Sequence, residues 1–144
     1  ERELVDRYAK RLSGTGKSVG LTGFDMVELP ESRADSGDAR KNDEAARIRA
    51  KVPDRACLIT FDERGKSMDS EVFAAIVGKA VDAARPIALV IGGPDGLSPD
   101  LRNEADHVVA FGKLTMPHQI VRALVLEQLY RATTILSGHP YHRT

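Results

Sequence analysis

Two stretches of the chain gather residue types that bind or transform ligands. The first is Gly92-Gly93-Pro94-Asp95-Gly96, directly after the apolar run Ile87-Ala88-Leu89-Val90-Ile91. Glycines at a strand end let a ligand approach the backbone closely, and proline fixes the turn. That position suits ligand binding in an open α/β sheet, and a side chain at Gly92 is expected to fill the ligand's approach. A tight strand-to-helix turn accounts for the same residues, and the spacing departs from the Gly-x-Gly-x-x-Gly dinucleotide pattern. The second stretch is the tail His139-Pro140-Tyr141-His142-Arg143. Its ring, imidazoles and guanidinium can stack on a base, shuttle a proton and donate to phosphate. A frayed chain end is the plainer reading of it.

Other candidates weaken on inspection. Ser13-Gly14-Thr15-Gly16-Lys17-Ser18 ends like a phosphate-binding loop, but the cradle needs a further glycine where Arg11 stands and a strand where a helix is expected. Cys57 falls inside an apolar run with no adjacent charge, which suits a small core residue rather than a nucleophile. His107 reads as a surface residue at a strand edge. Glu127 and Arg131 have the spacing and order of an ion pair on a helix surface. His118 and Arg122, also one turn apart, can present hydrogen bonds to an anionic partner, or serve equally well for capping and solvation.

These residues require an alternation of strands and helices. An amphipathic helix is expected over Glu1–Leu12, a glycine-rich break over Ser13–Gly23, and a half-buried strand over Phe24–Leu29, where apolar and acidic residues alternate before Pro30. Glu31–Asp43 reads as a polar surface loop, and a helix capped by Asn42 or Asp43 follows to Ala50. Ala56–Phe61 and Ile87–Ile91 suit strands covered on both faces. Asp62–Ser67 is expected to be a loop and Ser70–Ala84 a helix. A short helix over Pro99–Ala105, a strand over His107–Phe111 and a last helix from Pro117 to about Thr133 complete the order. This succession predicts an α/β domain with a mainly parallel sheet and flanking helices. Ile120, Val121, Leu124, Val125, Leu126, Leu129 and Tyr130 occupy nearly the whole circumference of the last helix. Either a partner subunit or the C-terminal tail must cover what the sheet does not.

With 144 residues, 42% of them hydrophobic, the chain can bury one ordinary core as a single domain. Lys plus Arg and Asp plus Glu both number 21, so overall basicity does not argue for nucleic acid. The charge is unevenly distributed. From Gly112 onward Lys113, Arg122, Arg131 and Arg143 face Glu127 alone, a net +3 balanced by −3 in the remainder. A single cysteine excludes a disulfide scaffold and a multi-thiolate zinc site. No apolar run is long enough to span a bilayer, and the opening Glu1-Arg2-Glu3 is unlike a secretory signal. A reduced, cytoplasmic protein without metal or membrane is expected.

Taken in order, Ile91-Gly92-Gly93-Pro94-Asp95-Gly96-Leu97, Lys113-Leu114-Thr115-Met116-Pro117-His118-Gln119-Ile120-Val121-Arg122, Glu127-Gln128-Leu129-Tyr130-Arg131-Ala132 and His139-Pro140-Tyr141-His142-Arg143 resemble the RlmH family. Its members are SPOUT-class methyltransferases that act on N3 of a pseudouridine in large-subunit (23S) ribosomal RNA. The match is nearly continuous over the C-terminal third. Upstream it rests on the order of elements and on Leu58-Ile59-Thr60-Phe61-Asp62. The resemblance implies an α/β SPOUT fold with a C-terminal trefoil knot, and S-adenosyl-L-methionine held by Phe61, Gly92, Gly93, Phe111, Gly112, Lys113, Leu114, Thr115 and Met116. Phe111, Leu114 and Met116 would supply an apolar wall. It further implies a homodimer in which Tyr141, His142 and Arg143 complete the partner's site, and His118 and Arg122 as RNA contacts. Family members begin with a strand ahead of the first helix, and none precedes Glu1 in this sequence.

Methyl transfer from a sulfonium is an in-line displacement, so placing the nucleophilic nitrogen matters most. The imide proton must also leave. His142 suits proton handling, Arg143 phosphate binding or oxyanion stabilisation, and Tyr141 stacking on the base. Two other readings compete. A non-catalytic RNA-binding dimer would need no cofactor, and a SPOUT enzyme acting on transfer RNA would not be expected to end in His-Pro-Tyr-His-Arg. The neutral charge leans toward a structured partner such as an assembled ribosome, because little attraction is available for naked RNA.

Overall fold

A computed structural model describes residues 1–143. Helices α1 (Arg2–Gly16), α2 (Gly37–Lys51), α3 (Ser70–Asp82), α4 (Pro99–Glu104) and α5 (His118–Ser137) alternate with strands β1 (Cys57–Ser67), β2 (Ile87–Ile91) and β3 (His107–Ala110). The chain forms two compact units, one made of residues Glu1–Asp25, Met68–Arg85 and those from Gln119 onward, the other of Met26–Ser67 and Pro86–His118.

The sheet unit holds all three strands, in the order β2-β1-β3 with every pairing parallel. Central β1 is buried from Cys57 to Phe61, as a strand flanked on both edges and covered on both faces must be. Ala45 of α2 packs with Leu58, Val90, Leu97 and Leu101, and Ile48, Val52, Ala88 and Ala105 extend this core. The starts of α2 and α4 are each fixed by a serine side chain. Ser36 accepts from the Ala39 amide at 3.0 Å, and Ser98 from the Leu101 amide at 3.1 Å with Pro99 in the first helical position.

The helical unit is built from α1, α3 and α5. Val5 and Leu12 on α1, Phe73, Val77 and Ala80 on α3, and Val125, Leu126 and Leu129 on α5 are buried. Helices α1 and α5 share a hydrogen bond between the hydroxyls of Thr15 and Thr133 at 2.7 Å, and Ser70 of α3 donates to Gln128 of α5 at 2.8 Å. Gly78 lets α3 approach α5, since a Cβ there would stand 3.0 Å from Leu136 Cδ2. Among the described residues, no helix is long and apolar enough to cross a membrane.

Four expectations are corrected. The break expected over Ser13–Gly23 is helical as far as Val19, since α1 runs on to Gly16 and Lys17–Val19 form a 3₁₀ turn. Phe24–Leu29 forms no strand, and Phe24, Met26 and Val27 are exposed at 41%, 45% and 53%. Alternation alone cannot hold a strand whose amides and carbonyls lack a neighbouring ladder. The polar stretch before Asp43 is already helical from Gly37, and Ser36, not Asn42 or Asp43, is the cap. Polarity there marks a solvent-facing helix, stabilised by Asp38 in its first turn and by Arg49 and Lys51 in its last. Finally, Asp62–Ser67 continues β1. The register jumps between Phe61 and Lys66, which both pair with Val109, so the intervening residues bulge out. Gly65 permits this, because a Cβ there would meet the Val108 carbonyl at 2.6 Å. The Gly14-Thr15-Gly16 segment lies within α1, and Lys17 and Ser18 within a 3₁₀ turn, so its amides serve helical bonding rather than a phosphate cradle.

Candidate active site

In the sheet unit the parallel register carries the ends of all three strands to one side. Phe61 stands opposite Ile91 of β2 and Val109 of β3. The turn after β2 and the loop after β3 therefore leave the sheet on either side of β1, near Phe61 and the bulge that follows it, and the chain order reverses there, as at the ligand crevices of open α/β sheets. Phe61 and Phe111 are brought together as a stacked pair, with ring centroids 5.5 Å apart and planes 8° from parallel.

The glycine turn is closed on itself by the Gly96 amide donating to the Gly93 carbonyl at 2.9 Å. A Cβ at Gly92 would lie 2.9 Å from Leu97 Cγ and 3.0 Å from the Gly96 carbonyl carbon. Gly92 is thus required by the turn's own packing, which corrects the expectation that its open side faces a ligand. At Gly93 the neighbour is the Glu44 carboxylate, 3.3 Å from a Cβ position. Gly96 and Gly112 are open, with φ at 84° and 134° and nothing within 4 Å of where a side chain would begin. From outside, Arg40 of α2 holds the turn, its Nε and Nη2 donating to Asp95 at 2.8 and 3.2 Å and its Nη1 to the Ala34 carbonyl. The Arg40 guanidinium draws the Asp95 carboxyl below the ordinary carboxylate range.

The other loop residues are more dispersed. Met116 is half-buried, Lys113 and Thr115 are exposed, and Leu114 is 82% exposed, so it adds nothing to an apolar wall in this state. Thr115 donates to Glu63 of the bulged segment at 3.0 Å. His118 and Arg122 are half-buried on the first turns of α5.

The tail residues belong to the helical unit, where all three tyrosines of the chain converge. Tyr141 packs edge-on against Tyr130 with centroids 4.7 Å apart, and Tyr8 lies 6.0 Å from Tyr130 on its other contact. The Tyr141 hydroxyl donates to Glu127 Oε1 at 3.1 Å. A phenol has one proton to give, so in the 3.4 Å contact between the two phenols Tyr8 is the donor. Glu127 Oε1 also receives Arg131 Nε and Nη2 at 3.0 and 2.6 Å. Burial, the bonds to Tyr8 and Glu127, and the nearby carboxylate push the Tyr141 phenol well above its ordinary range. Arg131 Nη1 lies 3.1 Å from His142 Nδ1. Guanidinium has no acceptor, so Nδ1 accepts and the neutral imidazole carries its proton on Nε2, on the side of Glu71 at 3.8 Å. Arg143 is exposed.

The sequence alone reads Glu127 and Arg131 as a surface pair, Tyr8 as part of an amphipathic helix and Asp95 as part of the glycine turn, and it gives Glu63 and Arg40 no role. The rarity of tyrosine was the available signal. No spacing rule links Tyr8 to Tyr141 across the length of the chain.

The chain is similar to known proteins along its length. The profile of the family described as "Predicted SPOUT methyltransferase" matches residues 1–142. The chain is 53% identical to Ribosomal RNA large subunit methyltransferase H of Bradyrhizobium sp. (strain BTAi1), over 99% of this chain and 90% of that protein. It is 51% identical to the protein of that name from Allorhizobium ampelinum, over 100% of this chain and 91% of the relative. The corresponding figures for Rhodopseudomonas palustris (strain HaA2) are 52%, 99% and 90%.

Proposed function

Since the chain belongs to the SPOUT methyltransferase family, whose ribosomal RNA large subunit methyltransferase H members it matches along its whole length, we propose that it methylates N3 of a pseudouridine in large-subunit ribosomal RNA. It is an enzyme that transfers methyl groups to ribosomal RNA, and it uses a methyl donor. Half-identity over nearly the full chain is the observation that carries this reading. S-adenosyl-L-methionine is the proposed donor. A homodimer, a trefoil knot at the donor site and a cytoplasmic location, with the assembled ribosome as substrate, belong to the same proposal.

The residues at the strand ends fit such a donor. Gly112 leaves a backbone face open, the Phe61–Phe111 pair supplies apolar ring surface, and Thr60 Oγ1, fully buried one residue before Phe61, has no hydrogen-bond partner among the described residues. An apolar body with a few polar edges is what these groups accept. When bound, S-adenosylmethionine supplies a methyl carbon activated by sulfonium. Gly92, Gly93 and the Phe111–Met116 loop then bind and orient it, with Lys113 and Leu114 exposed and Thr115 tied to Glu63.

On the tail, Arg131 fixes the His142 tautomer, so Nε2–H is the group His142 offers. It therefore suits donation to the carbonyl oxygen on which charge develops as the imide proton departs to solvent water. Arg143, exposed at the end of the chain, suits phosphate or that same oxygen. Tyr141 keeps its proton on Glu127, which suits an edge or stacking contact rather than base catalysis.

Ribosomes from cells lacking this enzyme, incubated with the protein and isotopically methyl-labelled S-adenosylmethionine, test the proposal. Nucleoside mass spectrometry should show one labelled pseudouridine. Label on another nucleoside would refute the assignment, and RNA binding without label would favour a non-catalytic module.

A further inference from the structure

Two arginines of the helical unit lie against the tyrosine cluster, and the fold treats them differently. Arg131, with its guanidinium carbon 4.8 Å from the Tyr141 centroid, is committed to Glu127. Arg11 lies 5.3 Å from the Tyr8 centroid and 5.8 Å from that of Tyr130. It is an exposed residue, and no carboxylate among the described residues pairs with it. The rings therefore hold its charge in place without neutralising it.

The position of this charge gives it meaning. Tyr8, over which Arg11 lies, reaches the Tyr141 hydroxyl, and Tyr130 is in edge contact with the Tyr141 ring. Arg11 is thus fixed one ring away from the tail. A guanidinium offers five donors in a fork that matches the oxygens of a phosphodiester, and stacking on rings reduces the freedom lost when it binds. A ribosomal RNA substrate surrounds any target base with backbone phosphates, the most abundant anions such a surface meets.

We propose that Arg11, held over Tyr8 and Tyr130, contacts an RNA backbone phosphate beside the tail and so sets where the RNA lies relative to Tyr141, His142 and Arg143. The proposal rests on the ribosomal RNA reading above. Arg11 acts as a positioning residue, through binding rather than through the reacting atoms.

Methylation of ribosomes from cells lacking the enzyme, measured across about 50 to 200 mM salt with wild type, Arg11→Met and Arg11→Lys, tests it. Arg11→Met keeps an apolar chain over the rings and removes the charge. Its KM for ribosomes should rise while the KM for S-adenosylmethionine holds, and the salt dependence should lose about one phosphate contact. Over that fourfold range wild type would then lose roughly threefold more affinity than the variant. Arg11→Lys should keep the wild-type salt dependence. An unchanged salt dependence in Arg11→Met would overturn the proposal. So would equal losses in both variants accompanied by a lower melting temperature, since that pattern means packing. If wild type transfers no methyl to ribosomes, the ribosomal RNA reading fails first and the role of Arg11 falls with it.

Discussion

The hydroxyl of Tyr141 donates to Oε1 of Glu127, the same oxygen that receives two bonds from Arg131. A residue four from the end of the chain is thereby tied to the middle of α5. The tail is a folded part of the helical unit, with its ring packed edge-on against Tyr130. Tyr141→Phe should preserve that ring contact and remove the donor. A loss of about 1 kcal/mol is expected, read as a lower urea midpoint with unchanged slope. Glu127→Ala should cost more, because it also strands Arg131, and amide exchange at Tyr141 and His142 should accelerate in both variants.

Burial of this phenol, with its bonds to Tyr8 and Glu127, makes stability fall on the alkaline side. The Tyr141 phenol is raised in the folded state, so the folded protein keeps this proton after the unfolded chain has begun to lose it. Its contribution is fully present below about pH 10, the ordinary phenol value, and disappears as pH rises through the raised folded value. Urea unfolding from neutral pH upward should therefore show wild type and Tyr141→Phe converging only at strongly alkaline pH. A difference that grows with pH would contradict this.

At the glycine turn, Gly92→Val should abolish binding of S-adenosylmethionine by displacing Leu97, which is buried at 3% exposure, and by forcing Gly96 away. Overpacking of this kind costs about 1–3 kcal/mol, so calorimetric loss of the donor should come with a lower melting temperature. Gly112→Ala separates the two effects. It meets no neighbouring atom and bears only the backbone strain of its positive φ, about 1 kcal/mol or more. Weaker donor binding at nearly normal stability is expected there.

Composite sites predict complementation. A tail-deleted variant lacking 139–144 and the Gly92→Val variant should each be inactive alone. Mixed dimers should regain methyl transfer if each tail serves the opposite subunit, since one of the two sites then has both an intact turn and an intact tail. Demonstrated heterodimers without activity would mean that the tail acts within its own chain or that both sites must be intact together.

Legibility in the sequence followed the source of each element's stability. Ile87–Ile91 was bounded correctly because its apolar run and the glycines after it are local signals, and the same holds for Pro99 behind its Ser98 cap. Elements whose limits depend on distant partners were missed. The end of β1 depends on Gly65 fitting against the Val108 backbone, and Phe24–Leu29 had the right period with no ladder to join. At the candidate site, the place of the glycine turn directly after Ile87–Ile91 was readable from the apolar run before it. The joint role of Tyr8, Glu127 and Arg131 was not, because it arises only when α1, α5 and the tail meet.

Cys57, the chain's single cysteine, opens β1 at 4% exposure. It therefore works as a built-in clock. A thiol reagent can reach it only when the first rung of the central strand, paired to Ile87, has opened. Alkylation rates under native conditions would then report the opening free energy of the sheet unit in unlabelled protein. A donor that binds at the far ends of these strands should slow the reaction by one plus the ratio of its concentration to its Kd, provided that site is lost when the strand opens. Ligand affinity could then be measured from a mass shift, in the absence of ribosomes and of any turnover.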